Sequence, residues 1–278
     1  MKTPEQLKGA IRNIAKSRNL RSQEVLQMFM FERILERLAA SEYRDNFILK
    51  GGLLISSMIG ITERTTMDMD TTVRGINMTE EEITKVINNI LSIDTGDGIS
   101  FIFKKIEPIR EDDDYNNFRV YFDAEYGKIK NPMKIDITTG YEITPAAIQY
   151  NYQLLFDERS ISVMAYTLET ILAEKYETII RRNIGTTRAR DFYDLYALYR
   201  IHKDEIRIPI LRLAVEHTAR KRGSLELLSD WVEIIDDIRS ENALHSLWKN
   251  YIKDNPYASG LTFDEVVNTV HTIGRIIQ

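Results

Sequence analysis

Apolar and polar positions change period three times along the chain, and each change predicts a different kind of element. Residues 4 to 42 repeat at helical spacing. Leu7, Ala10, Ile11 and Ile14 mark a first helix starting near Pro4, and Val25, Met28, Phe29, Ile34, Leu35 and Leu38 give a second a broad apolar face. Arg21-Ser22-Gln23-Glu24 is expected to cap the second helix. Phe47-Ile48-Leu49 then reads as a short buried strand, Gly51-Gly52 as a turn, and Leu53 to Met58 as a helical run. From Arg64 onward the period falls to two, with Arg64, Thr66, Asp68, Asp70 and Thr72 on one side and Met67, Met69 and Val73 on the other.

Further along, Thr79 is placed to cap a helix that continues through Leu91, and Asp94 to Gly98 form a loop. Two β-rich runs follow, 99–109 and 118–126, and then a strand around Pro132 to Thr138. Beyond Ser162 the pattern becomes helical, with Leu168, Ile171, Leu172 and Ile179 in one stripe and Trp231 and Trp248 as packing anchors of the tail. The expected fold class is α+β, a small mixed sheet flanked by helices and followed by a helical C-terminal region. The expected division is 1–160 for the sheet with its N-terminal buttressing helices, and 161–278 for the helical part.

Composition narrows the function classes. The 278 residues contain no cysteine, which excludes disulfides and thiolate metal sites. No run approaches the ~20 apolar residues that span a bilayer, the first residues lack the apolar core of a signal peptide, and a cytoplasmic protein is expected. Net charge is −5, against a non-specific nucleic-acid coat, yet 175–222 holds 12 Lys/Arg and 6 Asp/Glu. That basic stretch suits an RNA or an acidic partner protein, and equally a solvated helical surface. The four histidines have neither metal-ligand spacing nor a cysteine to pair with.

Candidate chemistry converges on one stretch, Lys50 to Val73. If Asp68 and Asp70 share a face they repel each other unless a cation lies between them, and Mg²⁺ prefers carboxylate oxygens. A glycine turn opening a helix offers backbone N–H groups to phosphate. Asp136, between Ile135 and Ile137, is a third acid expected on the sheet's wet face. The alternative is that these acids only solvate an edge strand. A second Asp-x-Asp, Asp112 to Asp114, lies in a polar run without alternation and reads as a solvated turn.

Gly51-Gly52, the Arg64-Thr-Thr-Met-Asp68-Met-Asp70 run and the later Ile-Asp-Ile strand together resemble the polymerase-beta-like nucleotidyltransferase superfamily, and within it the AbiEii/AbiGii toxin group. Glu174-Lys175 and Arg190-Asp191-Phe192-Tyr193-Asp194-Leu195 fit the same group. The resemblance covers roughly residues 45 to 200. It implies a Mg²⁺-dependent transferase in which Asp68, Asp70 and Asp136 are catalytic metal ligands and Gly51, Gly52, Thr66, Lys175 and Asp191 bind the nucleotide. Asp194 ranks below Asp191, and Arg188 and Arg190 are further phosphate contacts. Read without the family, Lys175 sits in an apolar stripe and needs an anionic partner or a path to solvent.

The same resemblance implies the toxin half of a toxin–antitoxin or abortive phage infection system. The substrate is then a nucleoside triphosphate, with GTP among the candidates, the acceptor tRNA, and the partner a cognate antitoxin; no membrane is involved. The rival readings are transfer to a small molecule such as an antibiotic, an inactive nucleotide-binding module, and a pure interaction protein.

Overall fold

The computed structural model describes residues 3–109, 117–140 and 142–278. The Asp112 to Asp114 run lies outside the described residues. The chain divides into two units, the first comprising Met1–Gly140 and Ile148–Ala165, the second Tyr141–Ala147 and Tyr166–Gln278.

In the first unit, α1 (Pro4–Ser17) and α2 (Ser22–Ala40) precede β1 (Phe47–Lys50), α3 (Gly51–Ile59), β2 (Met69–Val73) and α4 (Glu80–Leu91). The strands β3 (Ser100–Ile109), β4 (Asn117–Tyr126), β5 (Ile129–Thr138), β6 (Ile148–Gln153) and β7 (Ser160–Ala165) follow. All seven strands form one mixed sheet in the order β3-β4-β5-β2-β1-β7-β6. Pairing is parallel for β2 with β5 and for β1 with β7, and antiparallel elsewhere. The fold class is α+β, as the sequence predicts.

Local chemistry explains the boundaries. Thr3 and Gln6 exchange bonds at the start of α1, and the Glu24 carboxylate accepts from the Arg21 N–H at the start of α2. Thr79 accepts from the Glu82 N–H and starts α4 where the sequence places it. The core is built from Met69, Val73, Ile135 and Ile137 on the central strands and from Val25, Met28, Ile34 and Leu35 on α2, all buried. Each such side chain contributes on the order of 1.5–3 kcal/mol. α2 packs against β5, β7 and α4, and α3 against β1 and β2.

One expectation is corrected. The alternating run does not begin at Arg64, because β2 starts only at Met69. Upstream, the Thr66 hydroxyl accepts from the Asp68 N–H and donates to the Asp68 carbonyl, a local pattern that competes with ladder bonding. Thr66 is buried in the turn before the strand, so it does not share a strand face with the two aspartates. β6 and β7 lie in a region where the sequence reading placed no strands.

The second unit is helical: α5 (Leu168–Arg182), α6 (Ala189–His202), α7 (Ile208–Lys221), α8 (Trp231–Ser240), α9 (Asn242–Asp254) and α10 (Phe263–Ile276). Trp231 and Trp248 are buried anchors, as expected. The Trp248 indole donates to the Leu261 carbonyl, and a Cβ on Gly274 of α10 would come within 2.5 Å of the Trp231 ring. No described helix is long and apolar enough to cross a membrane.

Glu32 of α2 is 2% exposed; one oxygen accepts from the Leu155 N–H at 2.6 Å, while Oε2 has no hydrogen-bond partner and lies 3.6 Å from the Arg33 guanidinium. Burial, only partly offset by that N–H, pushes its carboxyl up to about 8 from 4.5. The folded state therefore holds a proton that the unfolded chain releases above about 4.5, so this group's stabilisation is full below that pH and is lost as pH rises toward 8. Glu32→Gln should remove this loss. Urea unfolding at pH 5 and pH 8 should show the variant gaining on the wild type at the higher pH, and an equal difference at both would refute the assignment.

Candidate active site

The register of the central strands brings the acids together. In the parallel β2–β5 pair Asp70 lies opposite Asp136, and in the antiparallel β1–β2 pair Lys50 lies opposite Asp70. Residues directly opposite in a ladder project to the same face. Ile135 and Ile137 flank Asp136 on the buried side, as the two-residue period requires. Asp68 precedes β2 by one residue, and its carboxylate is 3.0 Å from Lys134 of β5.

Two glycines let the chain approach this face. α3 begins at Gly51, whose φ of +65° lies in the left-handed region, and a Cβ there would come 2.1 Å from Asp70 Oδ2. A Cβ on Gly52 would come 2.8 Å from the Thr66 hydroxyl and 3.1 Å from the Arg64 guanidinium. Arg64 and Thr66 thus pack against the first turn of α3, where side-chain-free backbone meets the acidic face. The first N–H groups of a helix have no intrahelical partner and favour anions.

Sequence reasoning missed the cations. Arg119 of β4 lies opposite Asp136 in the antiparallel β4–β5 pair and donates through Nε and Nη2 to both carboxylate oxygens, each at 2.7 Å. The Asp136 carboxylate holds the Arg119 guanidinium still further above its ordinary pKa. No local pattern marks Arg119, since its partner is 17 residues away and reached only through ladder register.

Whether a divalent ion fits this face depends on donor chemistry and on side-chain placement. Three carboxylates on or next to adjacent strands are a suitable hard-oxygen set for Mg²⁺. As placed, Asp136 and Asp68 are engaged by Arg119 and Lys134, and among the described residues no three acidic or histidine side chains are gathered tightly enough to hold a metal. The donors fit the ion; their present partners are cations of the protein itself.

In the second unit, Lys175 of α5 is tied to α6 by Asp191 at 2.6 Å and Asp194 at 2.8 Å, and Arg188 reaches Asp191 at 2.8 Å. Asp191 and Asp194 are 1% and 0% exposed. Burial alone would lower the Lys175 pKa, but the two carboxylates outweigh it and hold it above the ordinary lysine value. Asp194, the lower-ranked residue of the motif, is as deeply engaged as Asp191. Within this unit Arg182, Arg188 and Arg190 line a cleft of about 610 Å³ together with Asn250, Tyr251 and Asp254.

A family model described as Nucleotidyl transferase AbiEii toxin, Type IV TA system, matches residues 33–269. No curated protein matches the sequence. Among solved structures, the chain is similar to a crystal structure from H. pylori assigned as a nucleotidyltransferase, at 16% identity and a TM-score of 0.51, covering 93% of this chain and 96% of that one. It is also similar to JHP933 from Helicobacter pylori, at 15% identity and a TM-score of 0.52, covering 93% of each. At such identities the likeness concerns the fold.

The close approach at Gly51 makes a testable demand. Gly51→Ala forces a Cβ onto the Asp70 carboxylate at a positive φ and should cost roughly 1–3 kcal/mol of stability. Gly9→Ala in α1, where a Cβ meets nothing within 4 Å, should be neutral or stabilising. Thermal denaturation of both variants gives the comparison; equal melting temperatures would contradict the packing of Gly51 on Asp70.

Proposed function

Because the chain belongs to the AbiEii nucleotidyltransferase toxin family of type IV toxin–antitoxin systems, we propose that its acidic sheet face transfers a nucleoside monophosphate from a nucleoside triphosphate to an acceptor hydroxyl. The observation that carries this reading is the placement of Asp70 opposite Asp136 on neighbouring strands, with Gly51 against Asp70. Asp68, Asp70 and Asp136 would hold Mg²⁺, which when bound polarises the phosphoryl oxygens and neutralises triphosphate charge. Gly51 and Gly52 give the triphosphate the first N–H groups of α3, and Thr66 supports that turn.

The acceptor oxygen attacks the α-phosphorus, the bond to the bridging oxygen breaks with its electrons leaving on pyrophosphate, and the hydroxyl proton passes to Asp136. Positioning and charge complementarity are the main contributions that such a site makes to rate. For Lys175 and Asp191 the reading keeps the nucleotide-binding role that the resemblance implies, acting as one cluster with Asp194 and Arg188.

tRNA is the proposed acceptor. Its support is the cleft lined by Arg182, Arg188 and Arg190, since arginine forks match phosphate geometry. GTP is the first donor to examine, a cognate antitoxin is the proposed partner, and abortive phage infection is the proposed setting. Transfer to an antibiotic is the second reading, because the same sheet face would serve any hydroxyl.

Incubating the purified protein with each α-labelled nucleoside triphosphate, Mg²⁺ and total RNA should label RNA of tRNA size. Asp70→Asn should lower that labelling more than about a hundredfold while the melting temperature is kept. Label on a small molecule instead would replace the acceptor. Undiminished labelling by Asp70→Asn would end the account of the site.

A further inference from the structure

Each of the three acids has a cation beside it, two by ladder register and one by side-chain contact. Asp136 has Arg119 as register partner and fork-shaped donor, Asp68 has Lys134 at 3.0 Å, and Asp70 has Lys50 as register partner. The three carboxylates are thus each accompanied by a cation, and Glu107 of β3 lies opposite Arg119 in the next ladder. The pairs are also half-open. The Arg119 and Asp136 side chains are 34% and 17% exposed, and those of Lys134 and Asp68 34% and 36%. Water and ions can therefore reach them, and their attraction is moderated by solvent.

We propose that Arg119 and Lys134 are resident counter-ions of the active face, which keep Asp136 and Asp68 neutralised until a divalent cation displaces them. This rests on the proposed function, because it takes the same acids as the metal's ligands. Without the two cations the carboxylates would repel one another in the nucleotide-free protein. With them, an incoming ion must compete with a bidentate guanidinium, so the nucleotide-free protein binds metal weakly. Once displaced, the Arg119 guanidinium becomes available to phosphate oxygens, for which its planar fork is suited. Arg119 is thus a positioning residue that couples metal binding to nucleotide binding; it does no chemistry itself.

The test is calorimetric titration of the full chain with Mn²⁺ in the absence of nucleotide. Arg119→Gln should tighten Mn²⁺ binding about tenfold over the wild type, the change expected when a charged hydrogen-bonded competitor is removed. Arg119→Lys, which keeps the charge without the fork, should fall between. Adding a non-hydrolysable nucleoside triphosphate should reverse the order, with Arg119→Gln binding the nucleotide more weakly than the wild type. Equal Mn²⁺ affinity in the wild type and Arg119→Gln, abolished in both by Asp70→Asn, would overturn the counter-ion role and leave the metal site standing. Mn²⁺ binding that ignores Asp70→Asn in every background would overturn the site itself and the counter-ion role with it.

Discussion

The parallel pairing of β2 with β5 is the constraint on which the rest of the acidic face depends. The two strands are separated by some sixty residues of chain, yet their ladder sets Asp70 opposite Asp136 and Met69 opposite Ile135. Because side chains alternate strictly, burying Met69, Val73, Ile135 and Ile137 commits both aspartates to the other face. A one-residue slip would bury the acids and expose the core. The apolar energy that holds the sheet together therefore also fixes the position of the carboxylates.

Charge pairing appears in two forms, and burial separates them. Lys175, Arg188, Asp191 and Asp194 join α5 to α6 through acids that are 1% and 0% exposed. Removing one member of such a cluster leaves an uncompensated buried charge, so the cluster holds the helices in place. Arg119–Asp136 and Lys134–Asp68 are several-fold more exposed and lie on a sheet face. There solvent moderates the attraction within each pair. The first arrangement thus joins two helices through buried acids, and the second stands open to solvent.

How much of this was legible in the sequence follows from which forces are local. The helix starts at Pro4 and Thr79 and the alternation around Asp136 depend on neighbours a few residues away and can be read off the chain, whereas Gly51-Gly52, read as a turn before a helix from Leu53, is itself the first turn of α3. The start of β2 was misread because the Thr66 hydroxyl bonds to its own backbone two residues on, and this ends the extended pattern at a point that alternation alone does not mark. β6 escaped notice although Ile148, Tyr150 and Tyr152 alternate with polar residues, because the run is short and mostly exposed, with only Tyr152 buried. Lys175 announced itself as a charge in an apolar stripe, but only the packing of α6 reveals that Asp194 as well as Asp191 answers it. Arg119 and Lys134 left no sequence signal, since their partners are set by ladder register.

The family fixes the class of chemistry, and the sheet register sets Asp70 opposite Asp136. What joins them is the idea that Asp70 and Asp136 share a divalent ion after Arg119 lets go. Diffraction from crystals grown with Mn²⁺ and a non-hydrolysable nucleoside triphosphate addresses this directly. The account predicts an anomalous peak at coordination distance, roughly 2.0–2.3 Å, from oxygens of both Asp70 and Asp136, with Arg119 turned off the carboxylate. Nucleotide bound with the Arg119–Asp136 fork intact, and the manganese peak elsewhere, would contradict it.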